Sequence, residues 1–205
     1  FNGVKGKFAF YNFNHKGPGW QQGFGRAILG ETWINHHGRH KSQATGGIIV
    51  EDMKDHPVLR GVEESTIFAP SDVYGVRLPL PGDSQPLVLG AVLKGMNVGD
   101  PPIEGKKNDP MMPVVWTKSY EANSGAKGKV VTTTMGASTD FVEPGLRRIV
   151  VNSVYWLLDL DVPAEAKIDF VTEFKPSMFQ FQRGEDYWKK QNIKPSDFAL
   201  ETVKN

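Results

Sequence analysis

The sequence predicts an α/β domain, built on an open sheet with a helix packed against it. Three features carry that prediction. Residues 130–134 read Val-Val-Thr-Thr-Thr, all β-branched, and favour a pleated backbone. Met135, Gly136, Ala137 and Ser138 follow as a tight turn. Leu146, Ile149, Val150, Val154, Leu157 and Leu158 then recur at helical spacing on one face. A strand, a turn and a helix that packs back on the sheet make a βα unit. In open α/β sheets ligands bind at the C-terminal ends of such strands.

The remaining elements follow in order. Residues 8–13 (FAFYNF) alternate as a short strand, and residues 22–29 suit a short helix around Phe24, Ala27 and Ile28. Residues 47–51 (GIIVE) form an apolar strand between glycine and charge, and 57–62 read as a turn or brief helix. Residues 65–68 and 73–77 are extended, and 87–93 (LVLGAVL) make a buried strand. Residues 113–117 (PVVWT) and 129–134 are two further strands. The short link between them is too brief for a parallel crossover, so they are antiparallel neighbours. Residues 166–173 hold one more extended stretch. The tail from Lys175, with Phe179, Phe181, Tyr187 and Trp188 among charges, reads as an arm over the domain or over a partner. A domain over residues 1–162 and an extension over 163–205 result.

Composition narrows the function. A chain of 205 residues, 39% hydrophobic and 23% charged, fits one soluble globular domain. Its net charge of +1 gives no electrostatic footprint for nucleic acid or an anionic membrane. No apolar run approaches the ~18–20 residues needed to span a bilayer. Asn2, Lys5 and Lys7 interrupt any secretory signal at the start. A mature exported chain would also lack one, so a periplasmic, secreted or cytoplasmic location all stay open. The absence of cysteine removes disulfides, thiolate ligands and a cysteine nucleophile. Glycine and proline concentrate in 16–25, 78–86 and 95–113, which are therefore shaped loops. One long helix cannot cover both faces of a doubly wound sheet.

Four stretches bear on family: residues 24–38 (FGRAILGETWINHHG), 55–62 (DHPVLRGV), 70–79 (PSDVYGVRLP) and 113–156 (PVVWTKSY, GKVVTTTMGAS, LRRIVVNSVYW). In order and spacing they resemble the ThuA-like (trehalose-utilisation) family. That family shows a glycine turn followed by histidine, His-Pro-x-x-x-Gly, an acidic residue near a tyrosine, a Trp-Thr strand and a strand ending Thr-x-x-Gly. An arginine and an asparagine follow in its last helix, matched here by Arg147 or Arg148 and by Asn152. The long loop at 101–110 and the aromatic tail resemble the branch common in sugar-degrading bacteria. The resemblance implies a flavodoxin-like, class I glutamine amidotransferase-like three-layer sandwich and a role in carbohydrate utilisation, with no cofactor.

Two departures accompany it. Many ThuA-like proteins carry a histidine after the strand-ending glycine, where this chain has Ala137. The βα units that open the family domain have no counterpart here, so the chain resembles the C-terminal part of a larger domain. That implies additional polypeptide, upstream or from a partner chain, with an oligomer as one arrangement. Residues 1–13 are then expected as an interior strand, since Phe8, Phe10 and Phe13 favour burial by about 1.5–3 kcal/mol each.

The candidate site residues each have two readings. His36, His37 and His40 are suited to a divalent metal with Asp72 as a further ligand, or to acid–base catalysis. A polar loop whose histidines bond to backbone or water is the plainer alternative. His36 and His37 also lie on a family motif and, with Asp72, are the catalytic candidates. Asp72 and Tyr74, at i and i+2 of an extended segment, share a face and suit sugar hydroxyls; otherwise Asp72 braces its loop. Trp33, Trp116, Tyr120 and Trp20 offer a stacking wall for a sugar ring, or fill core and interface. Glu104, Lys106, Lys107 and Asp109 form a solvated loop face or a lid.

The 132–138 turn stands where an α/β sheet would bind its ligand, making Thr134, Gly136 and Ser138 substrate-binding candidates. The N–H groups of Gly136, Ala137 and Ser138 suit an anion. Ser138 lies outside a Gly-x-Ser-x-Gly elbow, so it or Asp140 is expected as a helix cap. Arg148 and Asn152 are expected to orient this turn. Three functions compete. The first is a ThuA-like protein binding or processing a sugar-like small molecule. The second is a non-catalytic binding or assembly module, and the third a metal-dependent hydrolase using the histidine loop.

Overall fold

The computed structural model describes residues 19–122, 124–178 and 184–198. The strand expected at 8–13, the interior placement of residues 1–13, Phe179 and Phe181 lie outside the described residues. The strands are β1 (Asn35–His36), β2 (Thr45–Ile49), β3 (Phe68–Ala69), β4 (Tyr74–Gly75), β5 (Gln85–Val92), β6 (Met112–Glu121) and β7 (Lys127–Thr133). The α-helices are α1 (Pro144–Leu157) and α2 (Glu185–Gln191). Five strands make one curled sheet in the order β3-β2-β5-β6-β7, and β1 pairs with β4 in a second. Every pairing is antiparallel.

The flavodoxin-like, amidotransferase-like α/β sandwich expected from the sequence is therefore incorrect. The strand, turn and helix at 127–157 do form in succession. However, β7 pairs with β6 as a hairpin, from Val115↔Thr133 to Glu121↔Lys127, and no described strand follows α1 to complete a parallel pair. A local strand–turn–helix is common to both sheet types, and only its long-range partner separates them. An antiparallel sheet needs no helix on each face, because its neighbouring strands join through short turns. That accounts for the scarcity of helices.

Several element expectations hold. The 113–117 and 129–134 strands are antiparallel neighbours. The 22–29 region forms a 3-10 turn, Trp20–Gln22, and a π-helical turn, Gly25–Leu29. The 57–62 region forms the 3-10 turn Pro57–Leu59. Residues 166–173 form no strand.

Pro144 opens α1 at a position where its missing N–H is no loss. Its buried stripe is Gly145, Leu146, Arg148, Ile149, Asn152 and Ser153, whereas Val154 and Leu158 are exposed. The apolar face read from the sequence is thus rotated. The cause is a set of backbone carbonyls that need donors. Arg148 donates to the carbonyls of Arg60, Pro163, Ala164 and Ala166, and Asn152 Nδ2 to those of Val58 and Arg60. Both residues therefore hold loops 58–60 and 163–166, not the 132–138 turn. Gly145 lets the helix approach closely, since a Cβ there would collide with the Thr66 carbonyl.

The main core joins Val58, Leu59, Leu87, Val88, Val115, Leu146 and Ile149. β6 is buried from Pro113 to Thr117 because both its faces are covered. On one face, the indole of Trp116 and the hydroxyl of its cross-strand partner Thr132 both donate to the Leu29 carbonyl, at 2.7 and 2.8 Å. No helix among the described residues is long and apolar enough to cross a membrane.

His56 caps the Pro57–Leu59 turn, its Nδ1 accepting from Val58 N–H at 3.2 Å, and its ring lies against Trp156. Burial holds this imidazole below its usual pKa. The unfolded chain therefore binds the proton more readily, so the contribution is full above pH ~6.5 and is lost as pH falls below it. The expected outcome is that His56→Asn, which keeps a capping acceptor, shows a shallower loss of denaturation midpoint between about pH 7.5 and 5 than the native chain. Identical slopes would contradict this role.

Candidate functional site

The site begins with Asp140. Its carboxylate is wholly buried and accepts four hydrogen bonds, from Ser71 N–H and hydroxyl and from Gly136 and Ala137 N–H, at 2.7–3.1 Å. The Asp140 side chain thus braces the 3-10 turn Ser138–Val142 after β7, whereas α1, the helix expected to be capped by Ser138 or Asp140, follows Glu143 and has no side-chain cap. It also ties that turn to residues 71–72, which the sequence does not signal. The N–H groups of Gly136 and Ala137 are consequently engaged by Asp140, and the expected anion cradle is filled by this chain's own carboxylate. Ser138 is exposed, and its hydroxyl donates to the Ser177 carbonyl.

Next to Ser71, Asp72 is 3% exposed and bonds to two imidazoles. His36 Nδ1 lies 2.8 Å from one carboxylate oxygen and His40 Nδ1 2.9 Å from the other. A carboxylate accepts and does not donate, so both Nδ1 atoms carry the proton, and in the neutral rings Nε2 holds the lone pair. Strand pairing produces the arrangement. β1 runs against β4 with His36 opposite Tyr74, and their ring centroids are 5.6 Å apart. His37 and Gly38 N–H then both donate to the Val73 carbonyl. Gly38 permits the close approach, because a Cβ there would stand 3.0 Å from Asp72 Cβ.

His37 points elsewhere. Its Nε2 donates to the Lys107 carbonyl at 2.8 Å, which fastens the 95–111 loop beside the histidine segment. β1 ends at His36, and the bend at residues 37–38 sends His37 away from Asp72 while the turn that follows brings His40 back to it. Of the catalytic candidates read from the sequence, His36 and Asp72 meet in the structure and His37 does not, while His40 joins them. The exposed Glu104, Lys106 and Asp109 fit the solvated loop face.

A cavity of about 360 Å³ opens beside this cluster, lined by Asp72, Tyr74 and residues 133–137 with Ser71. Asp72 and Tyr74 share a face as the i, i+2 spacing requires, and Thr134 and Gly136 also line the cavity. Burial, then the carboxylates of Asp72 and Asp140, hold the Tyr74 phenol above its usual pKa, so it remains a donor into strongly alkaline solution. Trp33 is 46% exposed and stands edge-on to both His36 and Tyr74.

Three of the expected aromatic residues lie elsewhere. Trp116 is 1% exposed and serves the core. Tyr120 sits near the tip of the β6–β7 hairpin, its ring over Gly128. Trp20 packs under the Arg77 guanidinium at 3.8 Å, where Arg26 and Arg77 pair with buried Glu31. A larger cleft of about 630 Å³, between residues 54–62 and 156–162 with Lys129, lies on the α1 side and contains none of the expected site residues. Sequence reasoning missed Ser71 and the reach of Asp140; the His36–His40 spacing was visible, but not the choice of His40 over His37.

No protein-family model, curated protein or solved structure matches this chain. The ThuA-like resemblance therefore rests on its motifs alone.

Removing the Asp140 carboxylate leaves buried donors of residues 71, 136 and 137 without partners. Asp140→Ala is expected to lower unfolding free energy by about 3–5 kcal/mol in urea titration. A loss below about 1 kcal/mol would show that the two segments are held together by other contacts.

Proposed function

We propose that this protein binds and processes a sugar or sugar derivative in the cavity formed by Asp72, Tyr74 and residues 133–137, with acid–base chemistry centred on His36 and Asp72. The observation that carries the reading is the buried Asp72 carboxylate at the cavity wall, bonded to Nδ1 of two imidazoles. That pairing directs the basic Nε2 of His36 away from Asp72, and the carboxylate stabilises the imidazolium formed when Nε2 takes a proton. Sugar hydroxyls require donors and acceptors side by side. Tyr74, Thr133, Thr134 and Asp72 provide both around one cavity. Exposed Trp33 adds an aromatic surface beside the cluster. The motif resemblance to ThuA-like proteins supports carbohydrate as the ligand class.

Calorimetry of the full chain against mono- and disaccharides, sugar acids and oxidised sugars tests the reading. At least one class is expected to bind, with affinity falling about 5–30-fold in Trp33→Ala and in Tyr74→Phe. His36→Gln is expected to retain binding and lose turnover of that ligand. Binding without any turnover by the native chain would favour a non-catalytic binding module, and no binding to any sugar would overturn the proposal.

A further inference from the structure

We infer that His36, His40 and Asp72 form a site for one divalent transition-metal cation. One ligand atom from each residue lies within 4.8 Å of the other two. The two nitrogen–oxygen separations across Asp72 are 2.8 and 2.9 Å. A metal shell with bonds of about 2.0–2.2 Å has ligand–ligand edges of roughly 2.9–3.4 Å. A cation among these atoms would replace the two bridging protons, with the two imidazole ligand atoms, now within 4.8 Å of each other, drawn closer around it.

The charge distribution points the same way. Asp72 is buried, and its ion-pair partners among the described residues are these two imidazoles. Asp140, also buried and on the same cavity-lining segments, forms no ion pair with a described lysine, arginine or histidine; its partners are neutral N–H and O–H groups. Two imidazoles and one carboxylate favour zinc, manganese or iron over the all-oxygen preference of calcium and magnesium. Three protein ligands leave positions open, and the exposed His36 places them towards solvent beside the cavity.

The inference rests on the proposed ligand cavity only for its consequence: with the cation on Nδ1, His36 keeps its proton on Nε2, so a cation-bound water takes the place of His36 as the base beside the substrate. Cation binding itself rests on the three side chains. The test uses the full chain stripped with chelator and titrated with Zn²⁺ by calorimetry and with Co²⁺ by visible absorption. One equivalent is expected to bind, with affinity falling at least about tenfold in His36→Gln and in His40→Gln. Neither imidazole is deeply buried, so both variants should fold, and circular dichroism verifies it. His37→Gln, whose ring is held by the Lys107 carbonyl, should bind within about twofold of the native chain. Failure to take up one equivalent, or an equal loss in His37→Gln, would overturn the site. Repeating the sugar titrations on stripped and loaded protein separates the two ideas. Sugar binding without metal uptake overturns the metal site alone, whereas metal uptake without sugar binding overturns the carbohydrate reading alone.

Discussion

The Asp140 carboxylate is the constraint on which the site depends. A buried negative charge is costly unless hydrogen bonds replace its water, and here four donors from two distant segments do so. Satisfying that one group fixes the turn after β7 against residue 71. This in turn sets the position of Asp72, and Asp72 aligns two imidazoles. The order of dependence runs from charge to backbone to the geometry of the histidine cluster, so a residue outside that cluster governs where its members stand.

A similar economy governs the opposite side of the molecule. Arg148 and Asn152 occupy buried positions of α1 that an apolar stripe would have claimed. Their donors satisfy carbonyls in loops that have no strand partner. The helix thus serves as a hydrogen-bond template for irregular backbone as well as a hydrophobic cover. Trp116 plays the equivalent part on the sheet, where it anchors the turn leading to Glu31 and Trp33.

What was legible in the sequence was local. The alternating and β-branched runs located β5, β6 and β7, the short link between β6 and β7 made them a hairpin, and the i, i+2 spacing put Asp72 and Tyr74 on one face. That the rest of the sheet is antiparallel as well was not legible, because a strand, turn and helix in succession read identically in either sheet. The burial of Trp116 depends on what covers β6, which no local pattern encodes. Likewise, His36 and His37 are equivalent on paper, and only the pairing of β1 with β4 turns one towards Asp72 and the other towards Lys107. The chemical types were visible, and their directions were set by contacts between residues far apart in the chain.

The cavity is assembled from two separated stretches, residues 71–74 and 133–137, with His36 and His40 bonded to Asp72 at its wall. Neither stretch holds all of its groups, and the Asp140 carboxylate fastens one to the other. An occupant is therefore recognised by the native state and ignored by the denatured one, which links its binding to global unfolding by mass action. At a hundred times its dissociation constant such an occupant raises the free energy of unfolding by about 2.7 kcal/mol. The melting temperature of the chain thus becomes a reporter of what fills the cavity.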